Sequence, residues 1–402
     1  VIALLFGTYN SQHAANSLLV ADLGAAGVVV RECHEPLWQE TRDKNAPYFA
    51  PLGLARLALR YVASGLRLAR RFAREASDAD LVVTGFNGQL DVLLARLLDR
   101  RRRIVFAPLV TVSETLIDDR AAYSDRSPAG RLLRALDRLT LAAADLVVID
   151  TAAHRDYLVE HFGVARARVL VQYLGAEPLF APPVAEPAPD AAGEHAAAVP
   201  AGNASAPART LRVLCYSQYL PLHGSEVIAL AARLIPIDSG ISFELIGTGP
   251  ERARTDAFVR KLPHVRTVDW IPYDELPARI GAADVVLGVF GTSAKARMVV
   301  PNKVYQAAQV GRAIVTADTP AIREVFAHGE SVYAIAPEPR ALADALLALA
   351  GDPALRERLG RGARAAVARQ AAPAVRAARL RAALGAEDAG TAAPPHAQGG
   401  AA

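Results

Sequence analysis

The chain has only four lysines, Lys44, Lys261, Lys295 and Lys303, and two of them lie in one short stretch, FGTSAKARMVVPNKVYQ (290–306). A lysine ammonium is a compact point charge that suits phosphate, where arginine imposes a planar fork. The stretch leads into NKVYQAAQVG, whose pattern predicts a helix with Asn302 as N-cap, Pro301 before it and Gly311 closing it. Free backbone N–H groups and the positive end of the helix dipole would then meet Lys295, Arg297 and Lys303, which is the chemistry of an anion site. Phosphate is the expected ligand, and lysines standing in solvent are the alternative. GTSAKARMVV itself reads as an irregular loop.

Two more stretches in the same half follow strand-like runs. LRVLCYS passes into QYLPLHGSEVIALAARL, where Gln218, His223 and Gly224 precede a helix that Ser225 could cap. SFELIG passes into TGPER, which places Gly247 and Gly249 at a tight turn with Pro250 just inside the next helix. Gly247-Thr248-Gly249 is a fragment of a dinucleotide fingerprint with Arg252 where the third glycine belongs, and Asp269 stands near the place of a ribose-binding acid. A nicotinamide-dependent oxidoreductase is one reading of these residues.

In the first half, GTYNSQH (7–13) offers Thr8, Asn10 and His13, and GFNGQLD (85–91) offers Asn87, Gln89 and Asp91. PLVTVSETLIDDR, after RIVFA, offers Glu114, Asp118 and Asp119. Asp118 is the candidate base toward a bound hydroxyl, against the alternative that any one of these is a surface carboxylate. His154 and His161, on one predicted helix, have no evident partner set and read as structural.

These residues need elements that bring loops together. Short aliphatic runs recur on both sides of residues 181–209, each followed by a longer helical pattern: VIALLF, VVVRE, LVVTG, RIVFA, LVVID and VLVQ, then LRVLCYS, SFELIG, VRTVD, DVVLGVF, AIVTA and VYAIA. Aliphatic strands without polar alternation are buried on both faces, as in parallel sheets flanked by helices, whose ligands bind beyond the carboxyl ends of the strands. The fold class is therefore α/β, with two doubly wound domains at 1–180 and 210–385. DADLVVTG, AADLVVID and AADVVLGV each place an aspartate (Asp80, Asp145, Asp284) at a strand entrance, away from the ligand end, so Asp78 and Asp80 are not read as a metal motif. Residues 181–209, rich in Pro, Ala and Gly, read as a flexible linker, and 386–402 as a disordered tail. A helix over 52–74 carries leucines at helical spacing with six arginines largely outside the apolar stripe. Such helices pack on a sheet with a solvated basic face, or lie on anionic lipid.

The 45 basic and 41 acidic residues leave a net charge of +4, too small and dispersed for a nucleic-acid footprint. Cys33 and Cys215 belong to no paired motif, so neither a disulfide framework nor a thiol metal site is indicated, and a reducing cytoplasm fits. No apolar run has the length of a membrane span, and VIALLFGTYN lacks the features of a secretory leader.

The second half resembles the donor-binding domain of family 4 glycosyltransferases, which have the GT-B architecture of two facing Rossmann-like domains. The likeness rests on YLPLHGSEVIALAARL, FELIGTGPE, VDWIPYDELPARIGAADVVLGVFG and VPNKVYQAAQVGRAIVTADTPAIREVF, and looks most like a branch with an HG turn and a PNK helix start. The first half matches more loosely, through LVVTGFNGQLDVLLARLL and LLRALDRLTLAAADLVVIDT. The resemblance implies transfer of a sugar from a nucleotide-diphosphate sugar to an acceptor hydroxyl, with retention. Lysines and helix N-termini can take the departing phosphate charge without a metal, so no metal or other cofactor is expected, and the composition places the chain in the cytosol or at the cytoplasmic face of a membrane. The acceptor would be a sugar, a lipid carrier or a small molecule. Donor contacts are expected from Gln218, His223, Gly224, Gly247, Gly249, Trp270, Lys295, Arg297, Val300, Pro301, Asn302, Lys303 and Gln306, with Asp118 and Lys295 catalytic. Thr8, His13, Asn87 and Asp91 face the acceptor. The family's paired glutamates fall on Met298 and Gln306 here, and its Arg and Lys ahead of the first donor-domain helix on Gln218 and His223; a silent sugar-nucleotide-binding subunit is the second reading. Glu324 matches a family glutamate, and residues 353–384 are expected to cross back to the first domain.

Overall fold

The computed structural model describes residues 1–38, 51–181 and 211–385. The expected tail lies outside the described residues, as does the expected linker apart from Ala181. Every aliphatic run forms a strand. In the first domain β1 (Ile2–Gly7), β2 (Val29–His34), β3 (Leu81–Thr84), β4 (Arg103–Phe106), β5 (Leu146–Ile149) and β6 (Val169–Val171) make a parallel sheet of order β2-β1-β3-β4-β5-β6. In the second, β7 (Leu211–Tyr216), β8 (Ile241–Ile246), β9 (Val265–Val268), β10 (Val285–Leu287), β11 (Ala313–Ala317) and β12 (Tyr333–Ile335) are ordered β12-β11-β10-β7-β8-β9. DVVLGVF predicts a longer β10. The strand ends at Leu287, although backbone bonds to β11 continue through Gly288 and Val289; Gly288 lies so close to β11 that a Cβ there would stand 2.3 Å from the Thr316 hydroxyl.

Helices cover both faces of each sheet, as strands buried on both sides require. The first domain carries α1 (Ala14–Ala25), α2 (Pro51–Glu75), α3 (Gln89–Leu98), α4 (Pro128–Ala143) and α5 (Ala152–Phe162). The second carries α6 (Ser225–Leu234), α7 (Arg252–Val259), α8 (Leu276–Ala282), α9 (Ala294–Met298), α10 (Asn302–Val310), α11 (Pro320–Val325), α12 (Pro339–Gly351), α13 (Pro353–Gln370) and α14 (Pro373–Leu384). No helix among the described residues is long and apolar enough to cross a membrane.

The recurring aspartates act alike. Asp80 accepts from Ile2 N, Asp145 from Ile104 N and Asp284 from Arg212 N, so each carboxylate ties the entrance of its own strand to an N–H in the first two residues of a neighbour. Asp78 pairs with Arg31 instead. All four sit at the end of the sheet opposite the crevice, as structural groups.

Helix α2 divides its leucines differently from the expected stripe. Leu68 and Phe72 pack into the core with Phe6, Val92 and Leu141, whereas Leu59, Val62 and Leu66 point away from it. The layer α2, α3, α4 and α5 lies on one face of the first sheet, and α1 and α14 on the other.

The chain passes between domains twice. Residues 172–180 lead out, and Phe180 ends in the second domain's core. Helix α14 returns and packs on α1, as the expected crossing helix should. Arg376 and Asp22 form a fully buried ion pair at 2.8 Å, and Gln172 Nε2 donates to Arg376 O at 3.0 Å, so the outward and returning segments lie side by side. Gly175, at φ +72°, backs onto both: a Cβ there would sit 2.3 Å from the Arg376 guanidinium and 2.7 Å from Ala371 O. A buried pair of this kind fixes position more than it adds stability.

Candidate functional site

At the carboxyl ends of β7, β8 and β10 three loops converge with almost no space between backbones. A Cβ on Gly224 would meet the Phe290 carbonyl carbon at 2.3 Å; one on Gly247 would meet Ser217 O at 1.8 Å, and one on Gly249 Gln218 O at 1.7 Å. These glycines have positive φ, so their role is loop-to-loop approach. Arg252 fills the remaining turn: it donates to Gly247 O and to Asp269, and lies over the Tyr219 ring. The fragment of a dinucleotide fingerprint is thus a plugged turn with its ribose-type acid already paired, against the nicotinamide reading.

GTSAKARMVV is not an irregular loop. Ser293 caps the short helix α9, and the chain turns at Val299–Pro301 into α10. Pro301 takes the N-cap position and Asn302 is the first helical residue, one step from the expected cap; Ser225 likewise opens α6 behind Gly224. Gly311 closes α10 in the left-handed conformation as expected.

Lys303 is buried on the first turn of α10. Its ammonium donates to Gly288 O at 3.3 Å, faces the Tyr216 ring, and makes no ion pair with a carboxylate among the described residues. Burial pushes its pKa down. His223 is pushed well below its usual value by burial and by the charges of Lys303 and Lys295, so it is neutral. Its Nδ1 accepts from Leu220 N at 3.1 Å, which assigns the proton to Nε2 and leaves that N–H to donate elsewhere. Two donors and a helix N-terminus thus meet without an internal anion. Val300 is buried, Pro301 and Asn302 are partly exposed, and Gln218 and Arg297 are exposed at the rim. Trp270 stands 73% exposed just past β9.

Gln306 is buried and fully engaged. Tyr216 donates to its carbonyl oxygen at 2.9 Å, and its amide donates to Tyr273 at 2.8 Å and Glu177 at 3.2 Å. Glu177 comes from the outward crossing, where no local pattern marks it as a partner of Gln306.

Lys295 acts on both sides: its charge helps to depress His223 beside α10. It reaches across to the first domain, where its ammonium donates to Thr115 Oγ1 at 3.1 Å. Ser293 Oγ donates to Asp119 at 3.0 Å beside it. Thr115 and Asp119 belong to a single wide π-turn, Glu114–Asp119, a local geometry that often accompanies functional sites. Asp119 is raised by burial, partly offset by Lys295 and Ser293, and its Oδ2 has no protein partner; Glu114 Oε1 has none either. Asp118, the expected base, is held by Arg134 at 2.8 Å and Tyr157 at 2.6 Å, so both of its oxygens are occupied and it faces away from Lys295.

Behind this turn lies a partner set that the sequence did not reveal. His154, expected without one, is completely buried between Glu114 (2.9 Å) and Asp150 (2.9 Å). Burial alone would lower its pKa, but Glu114 and Asp150 outweigh it and hold the ring protonated, up to about 10. Glu114 is raised by burial but lowered more by His154 and Lys295, and ends below its usual value. Asp150 stays raised by burial.

Glu324 and Met298 act at the interface between domains. Glu324 accepts from Ala152 N at 2.6 Å and Ala153 N at 2.7 Å, capping α5 of the other domain, and from Tyr173. Met298, where the resembled family has a carboxylate, packs into the first domain's core, and its carbonyl accepts from Thr151.

On the first domain's loops, Thr8 N and Oγ1 donate to Asp91, and Tyr61 donates to it at 2.9 Å. Burial raises Asp91 to about 6 against these bonds. His13 caps α1 and stacks on Phe86, and Asn87 adopts a left-handed φ of 70° at the tip of its loop. Thr8 and Asp91 therefore form one closed cluster, with His13 and Asn87 on the neighbouring loops. Among the described residues no three His, Cys, Asp or Glu side chains are grouped to hold a metal ion.

Residues 22–178 match the sequence family described as Glycosyltransferase Family 4, and residues 227–382 match one described as Glycosyl transferase-like. A search of curated proteins finds no match. Among solved structures the chain is similar to a sucrose-phosphate synthase from Thermosynechococcus elongatus (18% identity, TM-score 0.67, covering 96% of this chain and 99% of that one). It is also similar to HepE of Anabaena in complex with UDP and glucose (14%, 0.63, 96% and 99%). A third is WaaG, a glycosyltransferase involved in lipopolysaccharide biosynthesis (13%, 0.58, 95% and 98%). At these identities the structural likeness establishes the fold, which is GT-B.

Proposed function

We propose that the protein moves a sugar from a nucleotide-diphosphate sugar in the second domain to an acceptor hydroxyl presented by the first. The observation that carries this reading is the pair Lys303 and His223: a buried ammonium with no carboxylate partner and a neutral imidazole with a free N–H, both beside the start of α10. Such a site lacks an anion, and a diphosphate leaving group supplies one. The family matches and the GT-B fold support the same class.

In this reading Lys303, His223 Nε2–H and the first N–H groups of α10 take the charge that develops as the anomeric carbon–phosphate oxygen bond breaks. These donors supply that stabilisation without a metal. Trp270 offers its open face to the base, and the Glu177 carboxylate, held by Tyr273 and Gln306, offers acceptor lone pairs to the ribose hydroxyls. The acceptor oxygen forms the new bond to the anomeric carbon, and its proton passes to Asp119, whose raised pKa suits it to hold one. Lys295 moderates the charge on Asp119 and Glu114. Retention at the anomeric carbon follows the family resemblance. Buried, unpaired Cys33 and Cys215 suit a reducing cytoplasm.

The test is thermal stabilisation by a panel of UDP-, GDP- and dTDP-sugars, followed by release of nucleoside diphosphate with sugar acceptors, with and without a chelator. Stabilisation by one donor and chelator-resistant release are expected; no stabilisation by any donor would remove the assignment. The buried Met298 and saturated Gln306 favour one competitor, a silent binding subunit. Donor stabilisation without release, across all acceptors, would select it.

A further inference from the structure

Helices α2, α3 and α4 each turn a pair of leucines outward at a spacing of seven residues: Leu59 and Leu66, Leu90 and Leu97, Leu132 and Leu139. Seven residues are close to two helical turns, so each pair is one stripe along one side of its helix. Leu59, Leu97 and Leu132 are 71%, 69% and 70% exposed, well beyond what scattered surface leucines need. The three helices are adjacent in one layer, so the stripes belong to a single face.

The charges on that face are nearly all of one sign. The three helices contain ten arginines and three acidic residues; Asp91 and Asp137 are buried, and Glu75 is paired with Arg71. Arg56, Arg70 and Arg74 flank the leucine stripe of α2, Arg131 and Arg138 that of α4, and all are exposed. A second copy docked on this face by two-fold symmetry would set arginines against arginines with no exposed carboxylate to answer them. An anionic bilayer answers both features: leucines enter the acyl boundary, and arginine stems lie along it with their guanidinium groups among the phosphates.

We infer that the outer face of α2, α3 and α4 docks the protein on the surface of an anionic membrane. Tyr61, on the inner side of α2, holds Asp91, so docking brings the first domain's loop cluster within one helix width of the lipid. Resting on the transfer proposed above, this favours an acceptor carried by a lipid.

Co-sedimentation with vesicles tests the docking without requiring turnover. The full chain should bind phosphatidylcholine vesicles containing phosphatidylglycerol, bind phosphatidylcholine alone at least tenfold more weakly, and release at high salt. The triple variant Leu59→Gln, Leu66→Gln, Leu97→Gln should lose at least tenfold of that binding, and Arg56→Glu with Arg70→Glu should do the same. Unchanged melting temperatures would show that both variants fold. Equal binding by the leucine variant, or no binding to either vesicle, overturns the inference. A concentration-dependent dimer that the leucine variant abolishes overturns it in favour of self-association. Failure to bind vesicles while donors still stabilise the chain would leave the transfer reading standing.

Discussion

The ammonium of Lys295 in the second domain donates to the hydroxyl of Thr115 in the first, at 3.1 Å, with Asp119 and Glu114 close enough for its charge to lower both carboxyls. In the proposed site Lys295 therefore acts on the acceptor-side carboxylates as well as on His223, while Lys303 lies at the start of α10. Lys295→Met should lower kcat by about 100-fold while leaving donor affinity within a few fold, since the lost charge acts where the acceptor reacts. Steady-state kinetics with donor varied at saturating acceptor separates the two. A large rise in donor KM with unchanged kcat would return Lys295 to the diphosphate.

Lys303→Met should have two effects of opposite sense. Removing a buried charge that lacks a partner leaves the melting temperature of the free protein equal or higher. The melting shift caused by a nucleotide sugar should nearly vanish, whereas the control Lys261→Ala retains it. Loss of stability without loss of the ligand shift would mean that Lys303 is held by the fold for another reason.

Asp118 and Asp119 are neighbours with different expected phenotypes. Asp119→Asn should reduce kcat by about 100-fold at unchanged donor binding, as removal of a proton acceptor does. Asp118→Asn breaks its contacts with Arg134 and Tyr157, and should lower the melting temperature while leaving kcat within a few fold. The reverse pattern would restore Asp118 as the base.

His154 gives the stability a dependence on alkaline pH. Its folded value of about 10 lies above the ordinary 6.5, so its contribution is complete below 6.5 and fades as pH rises through 10. Glu114, lowered, adds stability above its ordinary value that is lost on acidification. The melting temperature should therefore decline between pH 6.5 and 10 in the wild type and decline less in His154→Gln. Parallel curves would show that His154 is not the titrating group.

Glu324 caps a helix of the opposite domain with two charge-assisted bonds. Glu324→Ala should cost about 1–2 kcal/mol in urea unfolding, in line with the loss of a helix cap, and Glu324→Gln less. A neutral Glu324→Ala would show that water replaces the cap at no cost.

The twelve strands, the two parallel sheets and the three entrance aspartates were readable from sequence because they depend on local pattern: aliphatic runs, and a carboxylate always one residue ahead of the next run. The placing of Lys303 on the first turn of α10 was readable, since the two are neighbours in sequence. The contact of Lys295 with Thr115 was not readable, because the two are 180 residues apart and no local pattern carries that pairing. Glu177 and Glu114 were missed for the same reason, 129 and 40 residues from Gln306 and His154, although Asp150 stands only four residues before His154. Met298 looked like a lost carboxylate, yet its thioether fills the other domain's core, a gain that only packing reveals.

The outward and returning segments touch at Gln172 and Arg376, so the two crossings are fastened side by side as one hinge strip. Gly175 lies at that pivot, and any side chain there would jam it against Arg376 and Ala371. The cleft should therefore swing like a door on a fixed jamb. Such a swing must release Ser293–Asp119, Lys295–Thr115 and Thr151–Met298 together, so admitting a hydroxyl to the carboxylate unfastens the whole seam at once.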